Sequence, residues 1–136
     1  MKKAFGQTLK SFSQMFPIII GVVMLVSLFL ALVPAAFYAK VFTGSDWIDP
    51  LVGALVGSIS SGNPVVSYIL GGELLSQGVS LIAVTAFILS WVTVGMIQLP
   101  AESLMLGKKF ALIRNAVSFI ASLIVAYLTV LTLSFL

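Results

Sequence analysis

Residues 51–76 read LVGALVGSISSGNPVVSYILGGELLS, and this stretch decides how the chain folds. Two apolar runs are cut by Ser58-Ile59-Ser60-Ser61-Gly62-Asn63-Pro64. Glycine and serine weaken a helix, and the residue before a proline is pushed toward extended geometry. Proline is in turn well suited to the first turn of a new helix. The pattern therefore predicts two half-helices, at about 51–60 and 64–75, that meet at a polar break. An uninterrupted membrane-spanning helix is not written this way.

The flanks fix the solvent. Hydrophobic residues make up 60% of the 136-residue chain and charged residues 8%, with a mean hydropathy of +1.21. So few charges cannot solvate a water-soluble domain of this size. One apolar run, from about Phe16 to Ala39, carries no charge and follows a basic flank with Lys2, Lys3 and Lys10. It exceeds the ~7–15 residues of a signal-peptide core, so it is expected to span a bilayer, with Pro34 kinking its last third. Ser27, Ala31 and Ala35 lie four apart on one face of it, a spacing that admits a neighbouring helix. Two more spans are expected at about 79–99, ending before Pro100, and 116–136. The expected architecture is an all-α membrane protein, one transmembrane domain over residues 1–136. It holds three transmembrane helices plus a re-entrant or broken helix pair.

Charge placement bears on whether the broken segment crosses or re-enters. If it crosses, the loop from Ala101 to Asn115, with Lys108, Lys109 and Arg114, lies opposite Lys2, Lys3 and Lys10; if it re-enters, all six share one side with only Lys40 opposite. Basic residues concentrate on the cytoplasmic side, which favours the re-entrant hairpin with a cytoplasmic N-terminus, in a prokaryotic cell membrane. Asp46, Trp47 and Asp49 fall in the opposite loop, where Asp49-Pro50 reads as aspartate at a helix cap and proline at the first helical position.

Non-helical backbone at membrane depth must be buried in protein or line a cavity, because a bare amide in lipid costs several kcal/mol. The break is therefore the candidate substrate-binding site, made of Ser58, Ser60, Ser61, Gly62, Asn63 and Pro64, with a tight structural turn as the alternative. Glu73 is a carboxylate between apolar runs and a candidate gating or coupling residue, although the hairpin geometry puts it near the surface, where hydration alone explains it. Ser90, Thr93, Gly95 and Gln98 give the next segment a polar side that could face a pathway or bond to its own backbone. Gly53, Gly57 and Ser61, and likewise Ser118, Ser122 and Ala126, form small-residue stripes suited to close helix packing. Glu102, just after Pro100, suits a helix N-terminus. Lys108, Lys109 and Arg114 are read as orienting the chain and meeting anionic headgroups.

The chain has no cysteine and no histidine, and without a base for a nucleophile no catalytic constellation is legible. No enzyme activity, metal site or cofactor is expected, and the basic residues do not form the patch that nucleic acid requires.

The stretches Gly57-Ser58-Ile59-Ser60-Ser61-Gly62-Asn63-Pro64, Ser67-Tyr68-Ile69-Leu70-Gly71-Gly72-Glu73-Leu74-Leu75 and Gln98-Leu99-Pro100-Ala101-Glu102-Ser103 resemble short members of a permease family that includes the organoarsenical efflux permeases. The resemblance covers about Asp49 to Leu136. It implies a half-size transporter with its broken helix at Ser60 to Pro64, working as a homo-oligomer or with a second half-permease chain. The arsenical permeases carry cysteine in the corresponding region, and this chain has none, which argues against arsenic as the solute. The expected function is a permease subunit moving a small solute or ion at the broken helix; the alternative is a non-transporting membrane scaffold of a larger complex.

Overall fold

The computed structural model describes residues 2–32, 40–60 and 64–136, which are helical with no strand. The chain divides into two compact units, Met1–Pro34 and Ala35–Leu136. The first holds α1, Lys2–Leu32, with Pro17 inside it. Its Gly6–Leu25 stretch is long and apolar enough to cross a bilayer. The helix begins at Lys2, upstream of the span expected from Phe16, because residues 2–15 contain no proline to stop it. The expected kink at Pro34 and the stripe position Ala35 lie outside the described residues.

The second unit contains α2 (Ile48–Ile59), α3 (Pro64–Ser76), α4 (Leu81–Thr93), α5 (Leu99–Leu106) and α6 (Lys108–Ser134). Only α6, 27 residues long, reaches spanning length among these. At 1.5 Å per residue, the 12 and 13 residues of α2 and α3 give helices of about 18–20 Å. The hydrocarbon core is about 30 Å thick. The two half-helices written by the break are therefore present.

The glycines fix how α2 sits on α4. A Cβ built at Gly53 would lie 2.3 Å from the Ala83 carbonyl oxygen, and one at Gly57 would lie 2.3 Å from the Phe87 carbonyl oxygen and 2.1 Å from Ser90 Oγ. Only glycine allows this approach, so Gly53 and Gly57 of the stripe are a packing device, as expected. The contacts advance in the same direction along both helices, and α2 therefore runs parallel to α4. The order reverses for α3: Gly71 meets Val84 and Ile88, while Leu74 packs on Val79, Ala83 and Val84. It turns back into α4 through a helix stop at Gly78, φ +87°, with Val79 N–H bonded to Leu74 O and Gly78 N–H to Leu75 O, both at 3.0 Å. So α2 and α3 are antiparallel limbs laid on α4.

Along α6, Asn115 meets Gly95 beyond the C-terminal end of α4, and Tyr127 meets Asp46 and Trp47 at the N-terminal end of α2. Hence α6 runs antiparallel to both. Ala111, Asn115, Ser122 and Ala126 are its buried face, and Ala126 joins Ala54, Ile82 and Ala86 in the core. The opposite face is apolar and exposed, as at Ile120, Ile124 and Leu131.

Three expected features are corrected. The helix expected over 79–99 is α4, which ends at Thr93; Gly95 N–H then bonds to Asn115 Oδ1 at 2.8 Å instead of continuing the helical ladder. The segment from Ala101 to Asn115, expected as a loop, is largely α5 and the start of α6. Asp49 does not cap α2. It is 1% exposed inside the first turn, and its carboxylate accepts from Thr43 N (2.9 Å), Thr43 Oγ1 (3.2 Å) and Gly44 N (2.8 Å), tying down the loop before the helix.

Candidate functional site

Four helix termini meet at one end of the second unit. The C-terminal ends of α2 and α4 arrive beside the N-terminal ends of α3 and α5, and a cavity of about 240 Å³ opens among them, reached by Arg114 from two turns into α6. Ser60 and Pro64 border it from the broken segment, Trp91, Thr93 and Gly95 from α4 and its end, and Gln98 and Arg114 from beyond. Helix ends carry backbone groups without partners inside their own helix. Carbonyls from α2 and α4 and amides from α3 thus bring partial charges of both signs to one place.

The break in α4 is supported by side chains. Asn115 is 6% exposed; its Oδ1 takes the Gly95 N–H, and its Nδ2 donates to Ala111 O at 2.9 Å and Glu102 Oε2 at 3.3 Å. Glu102, in the first turn of α5 where a carboxylate is favoured, also accepts from Arg114 Nη1. One chain of contacts therefore runs from the free backbone at Gly95 through Asn115 and Glu102 to Arg114, which reaches the cavity wall.

Of the expected binding residues, Ser60 and Pro64 border the cavity. Ser60 Oγ donates to Val56 O at 2.7 Å, which leaves the hydroxyl oxygen able to accept. Ser58 is not part of the cavity lining: it is 1% exposed and donates to Ala54 O at 2.6 Å within its own helix. Ser61, Gly62 and Asn63 lie outside the described residues. Glu73 sits at the far end of α3, half-buried, where Ser76 Oγ (3.1 Å) and Gln77 Nε2 (3.3 Å) donate to it. It is thus at the opposite end of the helix from the cavity. Of the polar side read on the following segment, Thr93, Gly95 and Gln98 reach the cavity, whereas Ser90 is buried against α2 and donates to Phe87 O at 3.0 Å.

Three contributors were not legible as site residues. Arg114 reads as an orienting charge, Asn115 only as the end of the expected loop, and Trp91 only as part of the span expected over 79–99. The Trp91 ring is held edge-on by Phe87 at 5.4 Å between centroids, and its buried Nε1 has no acceptor among the described residues. The signal that could have found Arg114 is its adjacency to Asn115 at the start of a long apolar helix, with Glu102 12 positions before it. Among the described residues no group of three or more histidine, cysteine, aspartate or glutamate side chains could hold a metal ion. Comparison with family models, with curated proteins and with solved structures finds no match to this chain.

Proposed function

We propose that this protein is an integral membrane permease subunit that passes a small solute or ion through the cavity at the α2–α3 break. The observation that carries the reading is the meeting of four helix termini on one 240 Å³ cavity. A purely structural turn has no need of a second break in α4, yet the chain spends the buried amide of Asn115 on holding that break open. Discontinuous helices that bring opposite helix ends together are how many transporters coordinate solutes and ions.

In this reading α6 spans the bilayer, and its exposed apolar face meets lipid. The antiparallel pair α2–α3 is a re-entrant hairpin, with Ser60 and Pro64 on the same cavity as Arg114 and with Lys108, Lys109 and Arg114 on the cytoplasmic side. A chain this small does not enclose a pathway alone, and a parallel homo-oligomer or a second half-permease chain completes it. These assignments rest on the residues and geometry above; the likeness to the organoarsenical permease family rests on the sequence stretches alone.

The test is solute-agnostic. Proteoliposomes holding the full chain are shocked osmotically with a panel of small anions, cations and neutral solutes, and volume recovery is followed by light scattering. Recovery faster than in protein-free vesicles for one solute class is expected, with loss of that recovery in Asn63→Ala and Gln98→Leu. Recovery identical to empty vesicles for every solute, from protein whose helicity is intact, would leave the scaffold reading in its place.

A further inference from the structure

The cavity wall has one formally charged side chain, Arg114, and it is cationic. Its counter-charge, Glu102, is absent from the lining and meets Arg114 through Nη1, the only hydrogen bond of the guanidinium among the described residues. A guanidinium carries five N–H donors in a fixed fork, so most of that fork remains to be filled. Trp91 brings its ring to the same wall, while its indole N–H is buried away from the cavity and has no acceptor among the described residues. Gln98 brings an amide N–H₂ to the same wall. Two donor side chains, one of them charged, border a space of about 240 Å³, roughly eight water volumes at about 30 Å³ each.

We propose that this cavity is an anion site, in which the Arg114 guanidinium and the Gln98 amide hold a small monoanion or the carboxylate of a small organic acid against the ring of Trp91. This rests on the permease reading for its role in transport, but not for its chemistry. Charge-assisted hydrogen bonds to a planar guanidinium are the strong, geometrically specific ones. The Asn115–Glu102 contacts aim the guanidinium and leave its remaining donors for the ligand. Glu102 is a positioning residue in this scheme and does not touch the anion.

The protein offers its own reporter. Trp91 lines the cavity, and the second tryptophan, Trp47, is 79% exposed at the other end of α2, so a Trp47→Phe variant of the full chain reports from the site alone. Iodide is the probe, a monoanion that quenches indole fluorescence on contact, titrated at constant ionic strength with caesium as the cationic control. Saturable quenching by iodide is expected, reversed by acetate but not by acetamide or ethylammonium. Arg114→Gln raises the apparent Kd for iodide by about tenfold or more, a factor worth about 1.4 kcal/mol. Glu102→Gln breaks the same ion pair yet keeps saturable binding, which a merely structural role for the pair would not allow. Gln98→Leu gives a weakened site if Arg114→Gln fails to fold. Linear, unsaturable quenching that is equal in Arg114→Gln and Gln98→Leu overturns the proposal, and so does competition by acetamide or ethylammonium as strong as by acetate. Saturable iodide binding without solute-driven volume recovery in proteoliposomes would sink the permease reading and leave the anion site. Recovery for cations or neutral solutes without iodide binding would do the reverse.

Discussion

Replacing Gly57 by alanine tests the fold where it is tightest. The new Cβ would sit 2.3 Å from the Phe87 carbonyl oxygen and 2.1 Å from Ser90 Oγ, where ordinary contact begins at 3.4 Å. The helices must therefore separate locally by about 3.4 − 2.3 = 1.1 Å against backbone, which has no rotamer to give way. Overpacking of this kind costs about 1–3 kcal/mol, and the better helix propensity of alanine returns up to about 1 kcal/mol. With that full offset, the net expectation is a loss of up to about 2 kcal/mol. Gly72→Ala is the matched control, because nothing lies within 4 Å of a Cβ there; the propensity term acts alone and the variant is neutral or more stable. Unfolding in mixed micelles at increasing SDS fraction, followed by circular dichroism, reads both. Adding Ser90→Gly to Gly57→Ala restores only part of the loss, since the carbonyl clash remains. A Gly57→Ala midpoint equal to or above that of Gly72→Ala would refute the parallel, backbone-to-backbone packing of α2 on α4.

Asn115→Leu strands the Gly95 N–H, and a buried donor without a partner costs about 1–3 kcal/mol; faster hydrogen exchange at Gly95 and a lower unfolding midpoint are expected, and unchanged exchange would show that Asn115 does not hold the break. Asp49→Ala removes the acceptor of three hydrogen bonds to Thr43 and Gly44, so exchange at those two amides rises and the unfolding midpoint falls by the equivalent of about 1–3 kcal/mol; protection equal to wild type contradicts the loop-tying role. Glu102→Gln is a small perturbation of stability, under about 1 kcal/mol after solvent screening, because the Arg114 side chain is 39% exposed; a larger, salt-independent loss in the unfolding titration would contradict that. Single cysteines at Ser45, Gln77 and Met105 test the hairpin: an impermeant thiol reagent labels the first two from one face of the membrane and the third from the other, and labelling of Gln77 and Met105 from the same face means that 51–76 crosses.

The helix end near Ser60 and the helix start at Pro64 were legible because the signals there are local. Ser60 to Pro64 combines a weak helix end with a proline start, and each acts on its own backbone regardless of tertiary surroundings. The glycine stripe was legible for a similar reason: spacing alone puts Gly53 and Gly57 on one face. The second break was hidden because its cause is 20 residues away, where Asn115 supplies the acceptor that Gly95 takes in place of a helical carbonyl. Read locally, Leu81 to Leu99 is an apolar run that ends at Pro100. Asp49 misled in the same manner, since its side chain serves the loop before it and not the helix after it. Arg114 read as a topological charge because nothing in its own neighbourhood reports that Glu102 and the cavity lie to either side of it.

The level of the cavity along α6 sets what a transport pathway still requires. Arg114 marks the cavity end of the short helices and Tyr127 the other end, where it stacks on Trp47 at 5.7 Å. These are 13 residues apart, about 20 Å at 1.5 Å per residue, so α2, α3 and α4 line only about two thirds of a hydrocarbon core of about 30 Å. From Leu128 to Ser134, α6 continues for roughly another 10 Å, and within this unit Leu128, Leu131 and Leu133 are exposed there. A polar route that begins at Arg114 would therefore meet lipid beside those leucines unless protein covers them. On the proposed permease reading, an anion held by Arg114 would have left water on the basic side only, and lipid alone offers no second set of donors to receive it. Crossing would then require another element, from a second copy or a distinct chain, that brings polar groups to the Leu128–Ser134 level. Leu131→Trp should accordingly weaken assembly, read as a loss of the larger species on size-exclusion chromatography in mild detergent, while leaving iodide quenching of Trp91 intact in a Trp47→Phe background once the added tryptophan's own signal is subtracted. Loss of both together would mean that α6 communicates with the cavity directly and that the two levels are not separable.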